Sequence, residues 1–254
     1  MSQSYRKISV ELARRLRLVM TDVDGTLNDG GDTISLAVSQ AIQRLEKVGI
    51  AVGLVSGRTL PELDRMAYDL GITGPIIAEN GGVARLDVNS GLVELGYSRQ
   101  PALEALKKLK ELYPGDITER EDNAVRIIDV VVRAQGVEEP ELRRHLGRIQ
   151  LVDSGYIMHL MQEGISKGGT LMRLLDMLED KEFSSSNVMT IGDSLTDKSL
   201  FELFPDSVFI PSPRLNADEK QELEQVAGYI SDRPIEEGFI EVASHIIEAR
   251  TGEL

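Results

Sequence analysis

Leu18-Val19-Met20-Thr21-Asp22-Val23-Asp24-Gly25-Thr26-Leu27 is the stretch whose reading decides the fold. It is a short apolar run that stops at two carboxylates one residue apart, and Asp24-Gly25 is a turn signal. The run therefore reads as a buried strand with acids at its carboxyl end. In an open α/β sheet that edge borders the ligand crevice. Asp22 and Asp24 leave a strand on the same side, and like charges so close need a cation or a shared proton. A divalent metal supplies that relief, and hard oxygen ligands suit Mg²⁺. Alone, the stretch fits equally well a strand followed by an Asp-Gly turn whose acids cap the backbone.

Outward from this stretch the same pattern repeats. Residues 50–55 form a second apolar run that halts at Ser56-Gly57-Arg58-Thr59, and 75–78 form a third that ends in Glu79-Asn80-Gly81-Gly82. Between them lie two helices. Ser35 caps the first, which carries Val38, Ile42, Leu45 and Val48 on one face, and Pro61 sits in the first turn of the second, 60–70. Strands alternating with helices in this rhythm predict an α/β protein with a doubly wound parallel sheet.

From 83 the rhythm breaks. A hairpin around Gly91, a helix over 101–113, a β-branched run over 125–133, a helix over 138–147 and a strand over 149–152 make an α+β pattern. It reads as an inserted domain acting as a lid. A strand over 156–161 and a helix over 167–179 capped by Ser166 restore the alternation. A strand over 187–191 follows, running into Gly192-Asp193-Ser194-Leu195-Thr196-Asp197. The expected division is thus a core of 1–82 and 156–254 and a cap of 83–155. Residues 1–16 read as a lead-in with one helical turn at 10–13 and no assigned function.

Composition narrows the class. At 254 residues the chain is at the upper limit for one core. Its 28 Lys and Arg against 42 Asp and Glu give a net charge of -14, which argues against a nucleic-acid surface. With no Cys, thiol catalysis, disulfides and Cys-ligated zinc are excluded. The absence of a membrane-length apolar run or a signal-type leader makes the cytoplasm the default expectation. Composition says nothing of oligomeric state.

Short polar side chains end the core strands at Asp22 and Asp24, at Ser56, and at Asp193 and Asp197. In a parallel sheet these tips lie side by side, and converging carboxylates make a metal site with an open face. Gly25, Gly57 and Gly192 let backbone approach an anion. Lys167, in the first turn of a helix, opposes the helix dipole and so implies a nearby anion. Each residue has a plainer reading: Ser56 and Ser194 as capping hydroxyls, Asp197 as a first-turn acid, Lys167 as a solvated surface cation. Five such readings at once, with the Asp24-Gly25 turn, are a poor account of the pattern.

The order Asp22-Val-Asp24-Gly-Thr, Ser56-Gly-Arg, Lys167, Gly-Asp193-Ser-Leu-Thr-Asp197 resembles the haloacid dehalogenase superfamily over nearly the whole chain. Glu79-Asn80-Gly81-Gly82 and the place of the insert resemble its large-cap subgroup. Gly155-Tyr156-Ile-Met-His159-Leu-Met, Gly164-Ile-Ser-Lys167 and Ile230-Ser-Asp look most like the archaeal-type phosphoglycolate phosphatases. The resemblance implies that Asp22 is the nucleophile and Asp24 the general acid and base. It implies Mg²⁺ held by Asp22, the Asp24 carbonyl, Asp193 and Asp197, and phosphoryl oxygens held by Ser56 and Lys167, with Gly57 and Asn80 among the substrate contacts. The family usually carries Asn where Thr196 stands. Arg120 is nominated for a substrate carboxylate, which Arg grips bidentately; His159 is expected to face the core or the domain junction.

The first expectation is a Mg²⁺-dependent phosphatase of a small phosphorylated metabolite, 2-phosphoglycolate foremost. A sugar-phosphate or mannosyl-3-phosphoglycerate-type phosphatase stands close behind. A phosphomutase would share the nucleophile but return the phosphoryl group to substrate. A receiver-like regulatory domain would also gather acids around Mg²⁺, but the insert and the Asp-x-Asp spacing oppose it.

Overall fold

A computed structural model describes residues 2–153, 157–178 and 183–253. The chain opens with β1 (Gln3–Ser4) and α1 (Val10–Arg15), then enters β2 (Leu18–Thr21), the strand of the opening stretch. It continues through α2 (Leu36–Lys47), β3 (Ala51–Val55), α3 (Leu60–Leu70), β4 (Ile76–Ala78) and the short return strand β5 (Val83–Arg85). The insert contains α4 (Gln100–Leu112), β6 (Ile117–Glu119), β7 (Val130–Ala134), α5 (Glu139–Arg143), β8 (Ile149–Asp153) and β9 (Met158–Gln162). The core resumes with α6 (Lys167–Met177), β10 (Val188–Gly192), α7 (Lys198–Leu203) and β11 (Ser207–Phe209). It closes with α8 (Ala217–Val226), β12 (Tyr229–Ile230) and α9 (Ile235–Thr251).

Eight strands form one sheet in the order β1-β12-β11-β10-β2-β3-β4-β5, parallel except for the β4–β5 pair. Helices cover both faces, so β2 is buried along its whole length. Its alternation divides the core in two. Val19 packs with the α2 and α9 residues Ile42, Leu45, Phe239 and Val242. Leu18 and Met20 pack on the opposite face with Leu174, Phe201 and Phe209. The chain leaves β2 toward β3 on one side and returns through β10 on the other, which makes the carboxyl end of β2 the topological switch point. There Thr21 is in register with both Leu54 and Ile191, so the three strand tips stand level.

The insert is a second, four-stranded antiparallel sheet in the order β6-β7-β9-β8, with its own core of Leu106, Leu109, Val130, Val132, Leu142 and Leu160. This moves the expected boundary. The strand read as the return to the core pairs instead with β7 and β8, as in Val131↔His159 and Leu151↔Leu160. The cap sheet therefore runs to Gln162 rather than ending at 155, because an apolar strand does not itself announce which sheet it will join. Tyr156 and Gly155 of the resemblance motif lie outside the described residues, as does residue 179 at the expected end of α6.

Two further differences bear on the site. The β-branched run over 125–133 is not one strand. Only its end is β7, while Arg126 and Asp129 before it are buried charges. The lead-in is more structured than expected: β1 pairs with β12 at the sheet edge, and Ile8, Leu12 and Leu16 belong to the core.

Candidate active site

The opening motif delivers Asp22 one residue beyond the end of β2, where its N–H donates to the Ile191 carbonyl at 2.8 Å. The carboxylate is buried and lies among others. Asp22, Asp193 and Asp197 are three buried acids with ligand oxygens within 4.8 Å of one another. Gly25, at φ 93°, is what admits this approach, since a Cβ there would stand 2.1 Å from Asp193 Oδ2.

Lys167 is the counter-charge. Ser166 caps α6 by accepting the Gly169 N–H at 3.1 Å, and so places Lys167 at the first helical position. Its side chain is 2% exposed. The ammonium donates to Asp22 Oδ1 and to Asp197 Oδ1, each at 2.7 Å. Burial lowers the lysine pKa, but Asp197 and Asp22 outweigh burial and leave it raised. The sequence expectation of a nearby anion for this cation is therefore met by two.

Asp197 uses its other oxygen to hold the turn that carries it. Oδ2 accepts the N–H groups of Asp193 and Ser194 and the Ser194 hydroxyl, each at 3.1 Å. It thus acts both as the capping acid of the plainer reading and as a member of the cluster. Thr196 turns back to Ser194, with hydroxyl oxygens 2.9 Å apart.

The charges here do not balance. Three carboxylates face one ammonium, so full ionisation would leave two negative charges in excess. Burial pushes Asp22 up to about 7 against the pull of Lys167, with Asp197 and Asp24 adding to the rise. Asp193 is raised well above the ordinary carboxylate range, by burial first and then by Asp22 and Asp197. Asp193 Oδ1 is buried with no hydrogen-bond partner. An orphaned carboxylate oxygen beside two other acids fits a divalent, oxygen-preferring cation.

Asp24 stands apart from this triad. Its carboxylate is gripped at both oxygens by Arg58, Nε to Oδ2 at 2.9 Å and Nη2 to Oδ1 at 2.6 Å. Its side chain is 35% exposed, so it lines the mouth of the crevice.

Ser56 follows directly on the end of β3 and is buried. Its backbone loop is held from several sides. The Ser56 carbonyl accepts the Asn80 N–H and the Arg58 carbonyl accepts the Glu79 N–H, each at 3.0 Å. Glu79 and Asn80 reach these positions with φ of 51° and 54°, the left-handed region that non-glycine residues seldom occupy. A Cβ on Gly57 would stand 3.0 Å from the Asn80 side-chain amide, and Asn80 Nδ2 is buried without a partner.

Sequence reasoning passed over the junction above this loop. The buried Glu79 carboxylate accepts the cap N–H groups of Ile127, Ile128 and Asp129 at 2.8, 2.8 and 2.9 Å. Burial and Asp129 raise its pKa, and the three N–H groups oppose the rise. Arg126 donates Nη1 to the Gly57 carbonyl at 3.0 Å and to both Asp129 oxygens at 2.8 and 2.9 Å. Asp129 in turn meets His159 Nδ1 at 2.6 Å, which places His159 at the junction. Burial raises the Asp129 pKa, but His159 and Arg126 outweigh it and hold the acid low. The readable signal was an Arg and an Asp three residues apart inside an otherwise apolar run. Arg120 stays within the cap, its Nε on Asp122 Oδ1 at 3.1 Å, and is not brought to the acid cluster by any contact among the described residues.

Residues 19–139 and 139–239 match the family described as haloacid dehalogenase-like hydrolase. A phosphoglycolate phosphatase of Methanoculleus marisnigri is 31% identical over 235 residues, covering 89% of this chain and 94% of that protein. One from Picrophilus torridus is 30% identical over 234 residues, covering 91% of each. Among solved structures, a Thermoplasma acidophilum protein superposes with a TM-score of 0.77 at 24% identity, covering 91% of this chain and 98% of that one. The sucrose-phosphatase of Synechocystis, in complex with sucrose and phosphate, gives 0.70 at 16% identity, with 92% and 98% covered. Both structural likenesses show the fold alone.

Proposed function

The chain belongs to the haloacid dehalogenase-like hydrolases, and from that premise we propose that it is a Mg²⁺-dependent phosphomonoester hydrolase using Asp22 as nucleophile. The observation that carries the reading is the buried Lys167 ammonium bridging Asp22 and Asp197 next to the unpartnered Asp193 oxygen.

Asp22 and Asp193 are the residues that would hold the metal, together with the Asp24 backbone carbonyl that the family resemblance implies, while Asp197 holds both the loop and the lysine. Mg²⁺ bound there supplies charge neutralisation, without which one anion does not approach another. A carboxylate oxygen of Asp22 attacks phosphorus, the bond from phosphorus to the ester oxygen breaks, and Asp24 protonates that oxygen as it leaves. Water then attacks the aspartyl-phosphate, Asp24 takes its proton, inorganic phosphate leaves and the Asp22 carboxylate is regenerated. Arg58 occupies both oxygens of Asp24, so one of these bonds must open and that oxygen take up a proton from solvent before Asp24 acts as the acid; the proton it later takes from water restores that state. Lys167, the Ser56 hydroxyl and the idle Asn80 amide, beside Gly57, are the donors for the non-bridging oxygens.

For the substrate we favour a small phosphorylated carboxylic acid, 2-phosphoglycolate. The support is that several relatives named phosphoglycolate phosphatase match this chain along nearly their whole length. Arg120, of which only the Nε is engaged among the described residues, by Asp122, is the cap residue we assign to the carboxylate.

The test is phosphate release from a panel containing 2-phosphoglycolate, sugar phosphates and phosphoglycerates, with and without Mg²⁺, beside Asp22→Asn. The expected outcome is Mg²⁺-dependent release that is fastest on 2-phosphoglycolate and absent in the folded variant. Wild-type turnover by Asp22→Asn would end the assignment of the nucleophile.

A further inference from the structure

The Ser56–Arg58 loop is fixed by its carbonyls, and one of the clamps comes from the other sheet's domain. The core holds the first and third carbonyls through the N–H groups of Asn80 and Glu79. The middle one, Gly57, is held by the Arg126 guanidinium of the cap at 3.0 Å. Arg126 is 5% exposed as a residue and is itself anchored, both to Asp129 and, through Nε and Nη2, to Asp122 Oδ2 at 3.1 and 2.8 Å.

The geometry of one peptide unit carries the consequence. Among the described residues no peptide bond is cis, and in a trans peptide the C=O and the following N–H point in opposite directions. Pinning the Gly57 carbonyl toward the cap therefore aims the Arg58 N–H back at Ser56, where it reaches the hydroxyl oxygen at 3.2 Å. A hydroxyl has one proton to donate and two lone pairs. With a lone pair filled by the Arg58 N–H, the proton must go elsewhere, and no acceptor for it is found among the described residues. We propose that Arg126 is a positioning residue that, through the Gly57–Arg58 peptide, orients the buried Ser56 hydroxyl as a donor to a phosphoryl oxygen. The cap thereby governs phosphate binding without touching phosphate. This rests on the reading of Ser56 as a phosphoryl contact.

A double-mutant cycle tests it, with inorganic phosphate as the probe, measured as a competitive inhibitor and by direct titration. Ser56→Ala and Arg126→Lys are each expected to weaken phosphate binding about tenfold, the scale of one charge-assisted hydrogen bond. The double variant is expected to be no weaker than Ser56→Ala alone, because Arg126 has nothing left to orient. Multiplying effects, or unchanged phosphate binding in Arg126→Lys, would overturn the proposal while leaving Ser56 as a contact. An inert Ser56→Ala would instead remove the reading beneath it. Independently of any ligand, Arg126→Lys should speed hydrogen exchange at the Arg58 amide, and unchanged protection there overturns the relay. If Arg126→Lys does not fold, Asp122→Asn, which frees one side of the guanidinium, carries the same cycle.

Discussion

The crevice at the end of β2 and the junction between cap and core are both buried and both crowded with charge, yet they differ in what is left over. At the junction Arg126 and His159 meet Asp122 and Asp129, and Glu79 takes three N–H groups. At the crevice three acids share one lysine, and among the described residues an Asp193 oxygen has no partner and the Asn80 Nδ2 donates to nothing. Buried charge alone is thus no mark of a ligand site. Charge left unsatisfied is, because desolvating a polar group without a partner is costly unless something else completes it. Substitutions in the two regions should accordingly have opposite signatures.

The sharpest separation is expected from Asp22→Asn. Phosphate release should fall at least about a thousandfold. Metal-free thermal stability should hold or rise, since the change removes one of three crowded charges. A melting curve taken beside single-turnover release checks both. Lys167→Met should do the reverse for stability, costing about 3–5 kcal/mol in metal-free protein by leaving Asp22 and Asp197 uncompensated, and denaturant melts read this directly. Glu79→Gln should cost about 1–3 kcal/mol by weakening the three N–H bonds, with Mg²⁺ binding unchanged by titration. A loss of Mg²⁺ affinity in this variant would break the comparison, because it would mean that the junction and the crevice are one electrostatic unit.

The effect of pH sharpens the same contrast. Asp22 is pushed up to about 7, whereas in the unfolded chain it ionises near about 4. Between those values the folded state holds the extra proton, so this group's contribution to stability declines as pH rises through the window. Mg²⁺ needs the ionised cluster and should relieve the loss. The rise in Tm on adding Mg²⁺ should therefore be larger at about pH 8 than at about pH 6, by a few degrees. The smallest effect is expected from Thr196→Asn, which supplies an amide with longer reach than a hydroxyl bonded to Ser194. It should change KM by only a few fold.

Much of the crevice was legible because its residues sit at strand ends, where a short polar cluster after an apolar run is a local signal. Asp22, Ser56 and Asp193 are of this kind, and Lys167 carried a different local signal, a cation opposing the dipole at a helix start. The junction was not legible because its meaning is non-local. Glu79 was visible in its motif, but nothing adjacent says that its partners lie at 127–129. The strand of His159 looked like a core strand because pleat periodicity is the same in either sheet. Asp24 shows the limit at close range: its spacing from Asp22 put both acids on one side, yet Arg58, brought alongside by the neighbouring strand, claims its carboxylate.

The end of the cap sheet at Gln162 and the start of α6 at Lys167 are separated only by residues 163–166. So short a tether makes the lysine the first rigid point downstream of the cap sheet. Displacement of the cap would therefore reach the crevice by two routes, through this tether to the ammonium grip on Asp22 and through the Arg126 bond to the Gly57 carbonyl.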